Sequence, residues 1–438
     1  MNIFKNKEKF ILILLFSAML LVIAACSDDA ANSDDTIDDS GEDTAGDESE
    51  GLSGEVEFMT ISLSPTFDDY LNNLKEEFEA EHENVTINLR DVPYDQVEQV
   101  VLTSASSGQL PDVMNLNTDF VKKLAANGAV VNMDEAAADV KDTFFEGLWE
   151  TGSVNGEVYA LPWYTTTSGL LYNPDLLEKA GYDAPPTTFE EAWEMSEKIK
   201  EETGAYGQVV TDEMHLLMPK NGINILNEDN TQAAFNTSET EEMWKDLKEK
   251  YDKGLFPEDV MLGQVKLPEL YAQEKVAWWS TGPQLFRQVK DLAPKVYEKS
   301  LGAPALEGKA GVQHANPMNI AVSSNSESKE AAVEFAKFVT NAENQLEFGK
   351  LAAVLPPVKE AVNDEFFTKG KDSEDATESG KYYAAQQLES AVNMTPPVEA
   401  VSEIYKVIRE AFHRVILEDV EPAKALEEAE AEVNSLLE

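Results

Sequence analysis

The feature that most constrains this chain is a repeated change of apolar period between Glu55 and Gly128. Glu55–Ile61 has strand character. Phe67, Tyr70, Leu71, Leu74 and Phe78 then recur at helical spacing. Val85, Ile87 and Leu89 alternate with Thr86, Asn88 and Arg90, the period of a half-buried strand. Val97, Val100, Val101 and Ala105 return to a helix that stops near Gly108. Pro111–Met114 opens a third strand, and Asp119–Asn127 forms a short helix closed by Gly128. This order predicts an α/β fold with a largely parallel sheet, because each helix carries the chain back between strands that run the same way. Ser64-Pro65 reads as a helix cap followed by proline at the first helical position.

The alternation resumes downstream. Thr188 and Glu191 have the spacing of a capping box ahead of Phe189, Ala192, Trp193 and Ile199. Met243, Trp244, Leu247 and Tyr251 mark a helix closed by Gly254, and Ala332, Phe335, Ala336 and Val339 mark another. The C-terminal end reads as two helices around Pro422. Trp149, Trp193 and Trp244 lie on helical stripes and are expected in the core. No repeat of solenoid length is present.

The N-terminus carries an address. Lys5, Lys7 and Lys9 precede an apolar run, Phe10–Ile23, that is short for a membrane span. Residues 1–25 read as a secretory signal. Cys26 follows and is the single cysteine, which excludes a disulfide framework and a Cys-based structural metal site. Ser27–Glu50 holds eleven acids, no Lys or Arg and no aromatic residue. Residues 26–54 are expected to be an acidic, disordered tether. The whole chain has 34 Lys+Arg against 83 Asp+Glu, a formal net charge of -49. That balance argues against nucleic acid as a partner and against electrostatic adsorption to anionic lipid. The body is acidic as well, which suits a salty or alkaline exterior where hydrated carboxylates maintain solubility.

Several stretches, in order, resemble the extracellular solute-binding proteins of ABC importers, specifically the maltose-binding-like family 1. They are Ser107–Val113, Val154–Pro162, Leu171–Gly181 continuing into Pro186–Glu191, Lys275–Pro283, and Ser328–Ala332. Each is unspecific alone; their shared order over roughly residues 55–438 carries the resemblance. Ile23–Cys26 resembles a bacterial lipobox, which implies cleavage before Cys26 and a lipid on its sulfur. The resemblance implies a type II periplasmic-binding-protein-like fold, with two α/β lobes joined by three crossing segments and a ligand cleft between them. The crossings would fall near 160–168, 276–284 and 312–320. Lobe 1 would then be 55–160 plus 281–315, and lobe 2 would be 168–276 plus 320–438. The implied function is a lipid-anchored, monomeric substrate-binding protein on the outer face of the membrane. It would deliver its ligand to ABC permease subunits and need no cofactor.

None of those three segments contains Asp, Glu, Lys or Arg, in a chain that is 27% charged. Their aromatic, hydroxyl and amide groups suit a neutral sugar or oligosaccharide, whose C–H faces stack on rings and whose hydroxyls need directed partners. A phosphate, sulfate or amino acid would favour charged side chains there. The resemblance places Ser64, Asn117, Asp119, Trp163, Tyr164, Trp278, Trp279, Gly282, Asn316 and Met318 at the ligand. Ser64 and Asp119 equally suit helix caps; Trp163 is expected in the cleft, and of Trp278 and Trp279 one is expected in the core and Trp279 in the cleft. Strand alternation turns Trp278 and Trp279 to opposite faces. The maltose-binding pattern has Trp where this chain has Leu116 and Gln284, which points to another sugar. His82, His215, His314 and His413 are isolated, and no nucleophile elbow or phosphate loop is present. Two other readings stay open: a surface-anchored glycoside hydrolase, and a sugar-sensing module without transport.

Overall fold

The computed structural model describes residues 51–438. The signal, Cys26 and the tether up to residue 50 lie outside the described residues; Ser53 and Gly54, expected in the tether, instead open the first strand, paired with Asn84 and Val85. Eight strands form two sheets: β1 (Ser53–Ile61), β2 (Asn84–Val92), β3 (Val113–Asn117), β4 (Leu161–Tyr164), β5 (Gly169–Tyr172), β6 (Trp278–Thr281), β7 (Leu301–Pro304) and β8 (Met318–Val322). The first sheet has the order β2-β1-β3-β8-β4 and the second the order β6-β5-β7. The helices that matter below are α1 (Asp68–Glu81), α2 (Val97–Ser107), α3 (Thr118–Ala126), α4 (Phe189–Thr203), α5 (Met214–Lys220), α6 (Ser238–Asp252), α7 (Lys329–Val339), α8 (Ala342–Ala352), α9 (Val401–Glu418) and α10 (Pro422–Leu437).

The apolar spacings do what their periods require. Helix α1 buries Tyr70, Leu71, Leu74 and Phe78 on one face, each apolar side chain worth roughly 1.5–3 kcal/mol when fully buried. Gly108 ends α2 at φ 69°, a left-handed conformation that costs glycine little. Thr188 caps α4 by accepting from the Glu191 N–H at 3.2 Å. The Glu191 carboxylate reaches back to the N–H of Thr187 at 2.8 Å, one residue before the cap. The start of α1 differs from expectation. Phe67 occupies its cap position with no side-chain cap, so Ser64 does not serve as one.

The sheets differ in direction. In the first, β1 runs parallel to β2 and β3, while β8 runs antiparallel to β3 and β4. The second is antiparallel throughout. The expected parallel character therefore holds only for β1, β2 and β3.

Strand pairing also corrects the expected layout of segments. β6 sits wholly within the second sheet, paired with β5 from Gly169↔Thr281 to Tyr172↔Trp278, so 276–284 is not a crossing. β7 joins the same sheet, and Phe286, Val289 and Tyr297 belong to its core, so 281–304 does not return to the first sheet. β8 instead pairs with β3 and β4, and Phe335, Val339 and Phe348 pack with Phe58, Phe78 and Trp163. The reason is burial: Asn319–Val322 is enclosed along its whole length, which only an interior position in a covered sheet allows. The chain passes between the sheets at 165–168, at 305–317, and again after α8. Helices α9 and α10 then complete the second core with Ile404, Ile408, Phe412, Leu426 and Val433. Among the described residues no helix is long and apolar enough to cross a membrane.

Candidate functional site

The site grows from the C-terminal edge of the first sheet. β3 ends at Asn117, whose Oδ1 accepts from the Phe120 N–H at 2.9 Å and so caps α3. Asn319 on β8 donates through Nδ2 to Thr118 Oγ1 at 3.1 Å and to the Pro317 carbonyl at 3.0 Å. These bonds tie the start of α3 to the segment that enters β8. In register, Met318 lies opposite Asn117 on one side and Tyr164 on the other. Asp119 stands in the first turn of α3, half-buried; burial pushes its carboxyl pKa up, against the pull of Lys122 and Lys123. Burial likewise raises the Tyr164 phenol above its ordinary range, with Asn115 opposing.

The facing side comes from α5, the loop after it and residues 392–397. Together with Lys122 of α3 these enclose a cavity of about 410 Å³. Its polar lining is Asn224, Asn230, Asn393 and Thr395 beside Lys122. The volume falls within the roughly 300–1,000 Å³ usual for small-molecule sites. Asn393 is held in place: its Oδ1 accepts from the Thr395 N–H at 2.8 Å, and its Nδ2 donates to Asn316 Oδ1 at 3.5 Å. His314 Nδ1 accepts from the Met394 N–H at 3.2 Å, which requires that nitrogen to be unprotonated. Burial, then Lys220 and His215, pushes the His314 pKa down to about 4. His215 is also held at about 4, by burial first. Its ring stacks on Tyr405 with centroids 4.0 Å apart and planes at 21°. Burial lifts the Tyr405 phenol to about 12, and the nearby Asp119 carboxylate adds to the effect. The Tyr405 hydroxyl is enclosed and makes no hydrogen bond of ordinary geometry among the described residues.

Five residues expected at the ligand therefore meet around this junction: Asn117, Asp119, Tyr164, Asn316 and Met318. The others do not join them. Trp163 is fully buried, stacked on Phe348 with centroids 4.9 Å apart at 19°. It lies beneath α8 and not in a cleft. Trp278 and Trp279 do turn to opposite faces of β6, but helices cover both faces. Trp278 packs with Leu170, Leu177 and Ile199 and donates to Gln208 Oε1 at 3.1 Å. Trp279 packs with Leu171, Tyr271 and Phe286. Gly282 ends β6 beside Pro283 and Gln284, which border a separate crevice of about 30 Å³. Ser64 is exposed after β1, on the sheet edge where Asn117 ends β3, with no bond to the cavity residues.

Lys122, Asn224, Asn393, Thr395 and Tyr405 escaped the sequence reading. Lys122 had a readable signal, since it lies one helical turn beyond Asp119 and shares its face. The amides had none, because they reach the cavity only through tertiary packing.

These two sheets, each with its own helical cover, are the two-lobed arrangement of the periplasmic-binding-protein fold. The chain belongs to the bacterial extracellular solute-binding protein family, whose sequence profile matches residues 73–374. The galactooligosaccharide-binding protein of Bacillus subtilis is 23% identical over 365 residues, covering 80% of this chain and 83% of that one. The sugar-binding protein MalE of Xanthomonas citri superposes with a TM-score of 0.75 at 22% identity, covering 88% of this chain and 97% of that one. The cyclic alpha-maltosyl-1,6-maltose binding protein of Arthrobacter globiformis gives a TM-score of 0.73 at 20% identity, with 88% and 99% covered. The two structures show the shared fold.

Proposed function

We propose that this protein is the lipid-anchored, outer-face binding component of an ABC importer that captures a sugar or oligosaccharide. The observation that carries the reading is the amide-rich cavity of about 410 Å³ between α3 and the segments 222–230 and 392–397. The Asn393 amide, held by the Thr395 N–H, and the neighbouring amides and hydroxyl can meet the hydroxyls of a sugar. Cys26 is the proposed attachment point for lipid, and the acidic segment after it the tether. Sugar contacts made from both sides favour the closed arrangement, and the closed complex is what a permease pair would engage.

We read the protein as a binder and not a hydrolase. Glycoside hydrolysis calls for two carboxyl groups flanking one bond, and none of the residues lining the cavity is Asp or Glu. Names of relatives such as the galactooligosaccharide-binding protein support the same reading. The neutral ligand expected from three uncharged segments now rests on two, since 276–284 is not a crossing.

A thermal-shift screen against mono- and oligosaccharides, polyols, amino acids and phosphate esters tests this. A ligand that binds only the folded state at a hundredfold excess over its Kd stabilises it by about 2.7 kcal/mol. A shift with a sugar, and no product afterwards, is the expected outcome. A response confined to amino acids or phosphate esters would overturn the reading.

A further inference from the structure

Acids outnumber bases in this chain, 83 to 34, so a surface taken at random is acid-rich. The cavity has the opposite character. Lys122 is its single charged lining residue, and no carboxylate lines it. Lys122 is half-buried, and Asp119 attracts its ammonium through space without a hydrogen bond. Withdrawing a charge from water without a bonded partner costs free energy. An anionic group on the ligand would offset that cost.

The opposite wall adds no net charge of its own. Pro219 lines the cavity, and its neighbour Lys220 is 8% exposed. His314 stands behind Met394, close enough to Lys220 to feel its charge. Glu213 balances Lys220 through space, which leaves Lys122 as the cation facing the cavity.

We propose that the ligand is an acidic oligosaccharide, with the carboxylate of a uronic acid residue on Lys122 and its hydroxyls on Asn224, Asn230, Asn393 and Thr395. This rests on the sugar-binding reading above and replaces the neutral sugar expected from the sequence. One ammonium matches one carboxylate. A phosphate dianion would call for an Arg fork or a further cation, and neither lines the cavity.

Calorimetric titration of the full-length protein with matched trisaccharides tests the assignment. The probes are galacturonate, glucuronate and mannuronate trimers and their neutral hexose counterparts. At least one acidic trimer is expected to bind ten times tighter than its neutral counterpart, or more. Lys122→Gln should reduce that ratio to within threefold, and Lys122→Arg should retain it. Lys122→Met serves as the second charge-removing variant if Lys122→Gln does not fold. A neutral trimer bound as tightly as its acidic counterpart overturns the inference while leaving the sugar-binding reading intact. A ratio unchanged by loss of the charge also overturns it. Silence toward both classes overturns both readings.

Discussion

The core beneath β4 and the cavity beside α3 both adjoin the first sheet and differ in chemistry. In the first, Trp163 is packed against Phe58, Tyr164 and Phe348, with ring centroids 4.9–6.2 Å apart. In the second, no lining residue is aromatic, and amides, prolines and one lysine form the wall. The difference teaches that aromatic residues near a crossing segment do not by themselves mark a sugar platform. A tryptophan on a short strand is taken by whatever helix covers that strand. Here α8 covers β4, and helices cover both faces of β6.

The sharpest way to break this contrast is Trp163→Ala. A fully buried tryptophan removed from a packed core should cost about 3–5 kcal/mol, read as a lower midpoint in urea unfolding. An unchanged midpoint with lost sugar affinity would move Trp163 into the site.

The next effect separates the titratable side from the apolar one. His314 and His215 have folded pKa values of about 4, below the ordinary 6.5. The unfolded chain therefore binds more protons between those limits. Their stabilising contribution is complete above about pH 6.5 and is lost as pH falls toward 4, then levels off. The slope is about 1.4 kcal/mol per pH unit for each histidine. Unfolding measured from pH 7 to pH 4 in the native protein and in His314→Gln should show a shallower decline in the variant. Parallel declines would mean that His314 does not titrate as placed.

Two smaller changes sharpen the comparison. Trp278→Phe leaves Gln208 Oε1 without its donor in the second core and should cost about 1–3 kcal/mol of stability. Asn117→Ala removes the cap of α3 and should cost about 1 kcal/mol, read as a lower thermal midpoint. A loss of sugar affinity in Asn117→Ala at unchanged stability would instead make Asn117 a direct ligand contact.

Much of this fold was legible because it is local. The faces of α1, α2 and α3 follow from residues a turn apart, and the stops at Gly108 and Gly128 follow from backbone conformation. The destination of each later strand was not legible. β6 and β8 are both short, and only long-range pairing decides that one joins β5 and the other joins β3. The candidate site divides the same way. Asn117 and Asp119 were readable as candidates because they follow a strand and open a helix, whereas Asn316 and Met318 came from a crossing that the resemblance implied. Asn393 and Thr395 lie in a stretch of no periodicity, brought to the cavity by the pairing of Gln313–His314 with Ala391–Val392. Trp163, Trp278 and Trp279 misled because a tryptophan's pattern on a strand is the same whether a helix or a ligand covers it.

The most direct test of the central claim is a calorimetric titration of the sugar found by the thermal screen into the native protein, Asn393→Ala and Trp279→Phe. The account predicts that Asn393→Ala weakens binding about tenfold, the loss of roughly one hydrogen bond of 0.5–1.5 kcal/mol, and that Trp279→Phe stays within twofold of native. Binding lost in Trp279→Phe and kept in Asn393→Ala would contradict it, and would place the sugar at β6 instead of the cavity.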